Sequence, residues 1–115
     1  MADLLSELYE IVLKRRDEKE EGSYTAYLFE QGLDKILKKV GEESSETIIA
    51  AKNLRQSGGA EARQALVGEI GDLLYHVEVM MAELGVTAGE LKALLRERME
   101  KQGNLKQARQ TDRDT

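Results

Sequence analysis

Two groups of acidic residues at helical spacing are the residues of this chain best suited to chemistry. Glu42, Glu43 and Glu46 form the first group, and Glu69 and Asp72 form the second. Successive residues of an α-helix turn by about 100°, so Glu43 and Glu46 share one helix face, as do Glu69 and Asp72. Like charges at that spacing weaken an isolated helix by about 0.2–0.5 kcal/mol per pair. A divalent cation such as magnesium, which prefers oxygen ligands, would compensate them.

The alternative is that these glutamates form a solvated helix surface. In a chain with 34% charged residues, a single E-x-x-E pattern is most simply explained in that way. Two pairs, each with one member beside an apolar stripe, favour a metal site.

The spacing of apolar residues predicts the helices that would position these acids. An absence of proline is compatible with long helices, and Ser57-Gly58-Gly59 predicts a short loop between the two longest ones. If these two pair in antiparallel fashion, their acidic edges face each other. The predicted helices span about 4–19, 24–31, 33–56, 60–84 and 88–99, with Ser23 as an N-cap and Thr87 and Glu90 as a capping box. The fold predicted is an all-α bundle of four to five helices.

The apolar stripes of the two long helices fix the expected orientation of the acids. In the first long helix the stripe centres near Val40 and Ala51, and in the second near Ile70 and Val77. Glu43 is then expected to border the core.

Length and composition limit the other possibilities. We expect one domain over residues 1–103 and a polar, disordered tail over 104–115. No apolar run approaches the roughly 20 residues of a membrane span, and the N-terminus does not resemble a secretory signal, so we expect a cytoplasmic protein without a membrane partner. The net charge of −5 argues against nonspecific nucleic-acid binding. The absence of cysteine excludes disulfides and thiolate chemistry.

Basic residues near the first acidic group add a second element. Lys35 and Lys39 precede Glu42 and Glu46 on the same side of the helix, where they could meet a polyphosphate or simply form surface ion pairs. Lys38 is a weaker candidate. The single histidine, His76, could be a general base, but its place beside carboxylates favours a structural role.

Four segments give the chain a family resemblance. They occur in order as S-Y-T-A-Y-L-F (residues 23–29), K-K-V-G-E-E (38–43), A-A-K-N (50–53) and G-D-L-L-Y-H (71–76). Together they resemble the phosphoribosyl-ATP pyrophosphatases of histidine biosynthesis, which belong to the MazG-like, all-α nucleoside triphosphate pyrophosphohydrolases. The resemblance extends from about residue 23 to residue 99. Its acidic elements identify only the superfamily, whereas the S-Y-T and Y-H segments are more specific.

The resemblance implies roles for individual residues. It makes Glu43, Glu46, Glu69 and Asp72 magnesium ligands, with Glu42 as a further ligand or a supporting carboxylate. The residues implied to contact phosphate or the rest of the substrate are Lys35, Lys38, Lys39, Ser23, Tyr24, Thr25, Asn53, Tyr75 and His76. Tyr27 departs from the pattern, because many members have a basic residue there. The family also implies a homodimer of interlocked helices.

The implied reaction is magnesium-dependent hydrolysis of phosphoribosyl-ATP to phosphoribosyl-AMP and pyrophosphate. Water is the nucleophile, and Glu46 or Glu42 would accept its proton. Two alternatives use the same residues differently. One is a house-cleaning pyrophosphohydrolase that acts on other nucleoside triphosphates, and the other is a noncatalytic helical dimerisation module.

Overall fold

The computed structural model describes residues 3–102, and these residues form an all-α fold, as predicted. The predicted tail, 104–115, lies outside the described residues. No helix in the described part of the chain has both the length and the apolar character needed to cross a membrane. The five helices of residues 3–102 are α1 (Leu4–Glu18), α2 (Tyr24–Gln31), α3 (Leu33–Ser57), α4 (Ala60–Leu84) and α5 (Ala88–Gln102).

Local chemistry at the helix ends explains these boundaries. The Ser23 hydroxyl accepts a hydrogen bond from the backbone N–H of Ala26, which starts α2. At the start of α5, the N–H of Glu90 donates to the Thr87 hydroxyl while the Glu90 carboxylate accepts from the N–H of Thr87. This reciprocal pair is the predicted capping box. Helix α3 ends at Gly58, whose φ of 64° is left-handed, a conformation that glycine adopts without strain.

The two long helices form an antiparallel hairpin across the loop at Gly58 and Gly59. The Thr47 hydroxyl of α3 reaches the backbone carbonyl of Glu69 in α4, at 3.3 Å. Helices α1 and α2 cover only one half of this hairpin, the half remote from its loop. The core in that half is formed by Tyr9, Val12, Leu28, Ile36, Val79, Met81, Ala82 and Ala88.

The positions of the apolar stripes differ from the prediction. In α3 the buried line passes through Ile36, Glu43 and Ala50, so Glu43 lies within the buried line rather than beside it. In α4 burial is concentrated in the C-terminal half, and Ile70, one of the two predicted stripe centres, is 43% exposed, while the other, Val77, is half-buried. Apolar spacing predicted the helices, but the contacts made by α1 and α2 determine which apolar residues are buried.

Glu78 is a charged residue in this core. It is only 2% exposed, and neither carboxylate oxygen has a hydrogen-bond partner among residues 3–102. Burial, together with the nearby negative charge of Asp3, raises the pKa of Glu78 to about 6. Its protonated form is therefore favoured by folding.

Glu78 is expected to make stability depend on pH. Its pKa of about 6 in the folded chain exceeds its ordinary value of 4.5. The contribution of Glu78 to the free energy of unfolding is therefore most favourable at low pH, and it is lost as pH rises through 6. Replacing Glu78 by Gln should leave stability nearly unchanged at pH 4.5 but raise the free energy of unfolding at pH 7.5 by about 2 kcal/mol relative to wild type. Denaturant unfolding at both pH values measures this difference. The matched control is Glu10→Gln on the exposed side of α1, and an equal effect of the two variants would contradict the assignment.

Candidate active site

The α3–α4 hairpin brings the two predicted acidic groups together. Glu43 from α3 and Glu69 and Asp72 from α4 each offer a carboxylate oxygen within 4.8 Å of the other two. Antiparallel packing produces this meeting, because the same register places Thr47 against Glu69. Glu43 thus joins a single carboxylate group with Glu69 and Asp72, which follow it by 26 and 29 positions in the sequence.

Burial makes this group electrostatically strained. Glu43 is 6% exposed, and one oxygen each of Glu43 and Glu69 is buried without a hydrogen-bond partner in the described residues. Burial raises the pKa of Glu69 to about 7, assisted by hydrogen bonding and repulsion from Glu46 and Glu43. Burial also raises the pKa of Glu43. Burial and repulsion thus favour the protonated forms of Glu69 and Glu43.

The arrangement suits a hard divalent cation. Three carboxylates from two rigid helices converge, and two of their buried oxygens lack any other partner. Such an all-oxygen donor set is the kind that magnesium prefers. Glu46, the remaining residue of the E-x-x-E pair, lies outside the group of three but beside Glu69.

Lys39 provides positive charge next to the carboxylates. Its Nζ lies 3.5 Å from Oε2 of Glu42 and 3.9 Å from Oε1 of Glu43. Glu42 is therefore held by a lysine, while Glu43 belongs both to this ion pair and to the carboxylate group. Lys35 is partly buried and Lys38 is exposed on the same helix.

The S-Y-T and Y-H segments meet beside the carboxylate group. The hydroxyl of Tyr24 lies 3.0 Å from Nε2 of His76, and Nδ1 of His76 lies 2.6 Å from the backbone carbonyl of Asp72. Because a carbonyl can only accept, Nδ1 carries a proton and donates to the Asp72 carbonyl. Thr25 and Tyr75 form a second hydrogen-bonded pair between the same helices. Both pairs attach α2 to α4 at the edge of the site.

A cavity of about 410 Å³ opens on the α3–α4 hairpin next to the acids. Glu46, Asn53 and Glu69 line it, so the predicted Asn53 shares one depression with two of the carboxylates. Ser23 instead uses its hydroxyl to cap α2.

The structure also places Tyr27 of the S-Y-T-A-Y-L-F segment beside Arg16 and Glu83, which the motifs did not indicate. A second cavity, beyond Tyr24, includes Arg16 of α1, Tyr27 of α2 and Glu83 of α4. Motif spacing could not connect residues so far apart in sequence. The one available signal was the departure of Tyr27 from the family pattern.

The antiparallel helical hairpin thus carries E-x-x-E on one arm and E-x-x-D on the other. The family model described as phosphoribosyl-ATP pyrophosphohydrolase matches residues 5–101. The chain belongs to this family.

Individual relatives agree with the family match. A phosphoribosyl-ATP pyrophosphatase of Pelotomaculum thermopropionicum is 52% identical over 99 residues, which cover 86% of this chain and 94% of that protein. The Streptococcus gordonii protein of the same name is 47% identical over 102 residues, covering 89% of this chain and 91% of its own. A third, from Listeria welshimeri, is 46% identical over 109 residues, or 95% of this chain and 98% of that protein. The similarity therefore extends over nearly the whole of each chain.

Magnesium is expected to stabilise the folded chain. A cation that binds the folded carboxylates but not the unfolded chain adds about 2.7 kcal/mol at a hundredfold excess over its dissociation constant. The increase in Tm should be larger at pH 8 than at pH 5.5, because the pKa of Glu69 is about 7 and its bound proton competes with the cation. Thermal unfolding with and without magnesium measures the effect.

The control is the double variant Glu43→Gln with Glu69→Gln. Its metal-free form should be at least as stable as wild type, since repulsion is removed, but magnesium should no longer raise its Tm. An undiminished magnesium effect in this variant would locate the bound cation elsewhere.

Proposed function

We propose that this chain hydrolyses phosphoribosyl-ATP between the α and β phosphates, releasing phosphoribosyl-AMP and pyrophosphate, the second step of histidine biosynthesis. The observation that carries the proposal is the carboxylate group of Glu43, Glu69 and Asp72, in a chain of the phosphoribosyl-ATP pyrophosphohydrolase family. Its relatives bear the name of that activity. A biosynthetic hydrolase of this kind is expected in the cytoplasm.

The residues proposed to hold magnesium are Glu43, Glu69 and Asp72, joined by Glu46, with Glu42 as a supporting carboxylate. The unpartnered buried oxygens of Glu43 and Glu69 support this set. Bound magnesium would lower the pKa of coordinated water and offset charge on the phosphate oxygens.

The remaining polar residues have distinct proposed tasks. Lys39, already beside Glu42 and Glu43, would bind phosphate oxygens. Lys35, one turn earlier, and Lys38, the preceding residue, would assist it. Of the two candidate bases, we favour Glu46 over Glu42 for accepting the proton of the attacking water. Glu46 lines the 410 Å³ cavity, whereas the carboxylate of Glu42 is engaged by Lys39.

The residues at the junction of α2 and α4 would shape the site. Tyr24 and His76 are joined by a hydrogen bond, as are Thr25 and Tyr75, so these four side chains fix α2 against the acidic arm of α4. Asn53 would face the substrate from the cavity wall. Ser23 would contribute indirectly by holding the first turn of α2 in place.

Removing one site charge is expected to abolish most activity without unfolding the chain. Wild type should release pyrophosphate from phosphoribosyl-ATP in the presence of magnesium, and Glu46→Gln or Asp72→Asn should each reduce kcat by at least about 100-fold. Each change keeps the side-chain shape, so helix content measured by circular dichroism should not change. Glu100→Gln, on an exposed part of α5, is the charge-matched control and should retain full activity.

The choice of substrate tests the alternative functions. If wild type hydrolyses a deoxynucleoside triphosphate as well as or better than phosphoribosyl-ATP, a house-cleaning role would replace the histidine-pathway role. If neither substrate yields pyrophosphate, the noncatalytic module would be favoured.

We further propose that the chain acts as a homodimer through the uncovered half of the hairpin. Ile48, Ile49 and Val67 are 64%, 59% and 64% exposed, and Ile70 and Leu74 extend the same apolar surface along α4. Ile48 and Val67 lie at the same level, because Thr47 contacts Glu69. Continuous apolar surface of this kind is characteristic of a protein interface, and the family resemblance implies a second copy as its occupant.

Sedimentation velocity tests the dimer. The double variant Ile48→Gln with Val67→Gln should weaken self-association by at least about tenfold, because it removes apolar surface equivalent to more than 1.4 kcal/mol. The matched control is Leu4→Gln with Ile11→Gln, two exposed residues of α1, which should leave association unchanged. A monomeric wild type would contradict the proposal.

A further inference from the structure

A cavity of about 1020 Å³ lies where the connection between α1 and α2 meets the C-terminal part of α4. Its volume is at the upper end of the range for small-molecule sites. The lining includes Tyr24, Tyr27 and Phe29, together with four glutamates and two basic residues. It is thus both aromatic and predominantly acidic.

Two tyrosines form an accessible aromatic wall in this cavity. The ring centroids of Tyr24 and Tyr27 are 6.2 Å apart, and the rings are inclined by 28° in a stacked arrangement. The two residues are 46% and 43% exposed, so their aromatic surface is open to a ligand. A flat base can stack on such a surface.

The charges in the cavity favour a positive ligand. Arg16, one of its two basic residues, donates to the Asp17 carboxylate at 3.0 Å and to the backbone carbonyl of Ala82 at 3.4 Å, so its charge is already engaged. Glu83 also lines the cavity, and its Oε2 is buried with no hydrogen-bond partner within the described part of the chain. Tyrosine faces attract cations as well.

The aromatic wall is joined to the carboxylate site by hydrogen bonds. Tyr24 belongs to the wall, and its hydroxyl pairs with His76, whose other ring nitrogen pairs with the backbone of Asp72. Tyr24 is therefore the residue that the cavity shares with the hydrogen-bonded chain ending at Asp72.

We propose that this cavity binds the adenine of the substrate, and that Tyr27 and Glu83 select a positively charged, N1-substituted adenine over the neutral adenine of ATP. The proposal rests on the proposed function, since phosphoribosyl-ATP carries its second ribosyl group on N1 of adenine. Substitution at N1 makes the ring amidine strongly basic, so the ring is protonated and cationic at neutral pH. ATP, with an unsubstituted N1, is neutral there. The positive charge on the ring itself, rather than the net charge of the nucleotide, would thus distinguish the two substrates.

The test compares two nucleotides that cannot be hydrolysed at an anhydride, AMP and 1-methyl-AMP, by calorimetry at pH 7 and fixed magnesium. Wild type should bind 1-methyl-AMP about tenfold more tightly than AMP. Tyr27→Leu and Glu83→Gln should each lose most of this preference, whereas Tyr27→Phe, which keeps the ring, should retain it. Glu100→Gln is the surface control, and circular dichroism establishes that each variant is folded.

The outcomes separate this proposal from the proposed reaction. Equal binding of the two nucleotides by wild type, or an unchanged preference in both Tyr27→Leu and Glu83→Gln, would overturn the cavity assignment even if phosphoribosyl-ATP is hydrolysed. A preference that depends on Tyr27 and Glu83 in a protein that releases no pyrophosphate would support the cavity and overturn the reaction.

Discussion

Repulsion among the carboxylates that meet between α3 and α4 is the constraint on which the rest of the structure depends. Glu43 is almost fully buried, and Glu69 and Asp72 approach it from the facing helix. Charged groups leave water only at a high cost unless they are paired or share a proton or cation. The hairpin must therefore be held together by something other than the site itself. The apolar core between α1, α2 and the remote half of the hairpin provides this.

The same division of the hairpin determines where the site opens. Glu43 follows the buried line of Ile36 in α3, whereas Glu46, one turn later, lies where the hairpin is no longer covered. The smaller cavity begins there and runs beside the exposed Ile49. A second copy seated on this apolar surface would thus enclose one edge of the cavity. Dimerisation would then complete the site, and it would also bury apolar surface that the small core of one chain leaves exposed.

Local features of the fold could be predicted from the sequence, and features that depend on tertiary packing could not. Helix ends follow from nearby residues such as Ser23, Gly58 and the pair Thr87 and Glu90, so all five helices were predicted close to their observed bounds. The pairing of the two acidic groups could be predicted because the loop at Gly58 and Gly59 is short. Two long helices joined by such a loop most simply form an antiparallel hairpin. Burial of Glu78 could not be predicted, because a carboxylate within a helix pattern is ordinarily assigned to the exposed side.

Contacts between distant segments account for the remaining features of the site. Tyr24 and His76 are 52 residues apart, and no periodicity relates them, although each belongs to a motif that marks the family. Once α2 packs on α4, the Tyr24 hydroxyl provides a hydrogen-bond partner for Nε2, the ring nitrogen that does not contact the Asp72 carbonyl. Both ring nitrogens then have partners, and the imidazole is held in place without being required to act as a base. His76 is therefore best understood as a structural link, because it joins Tyr24 in α2 to the backbone of α4 at Asp72.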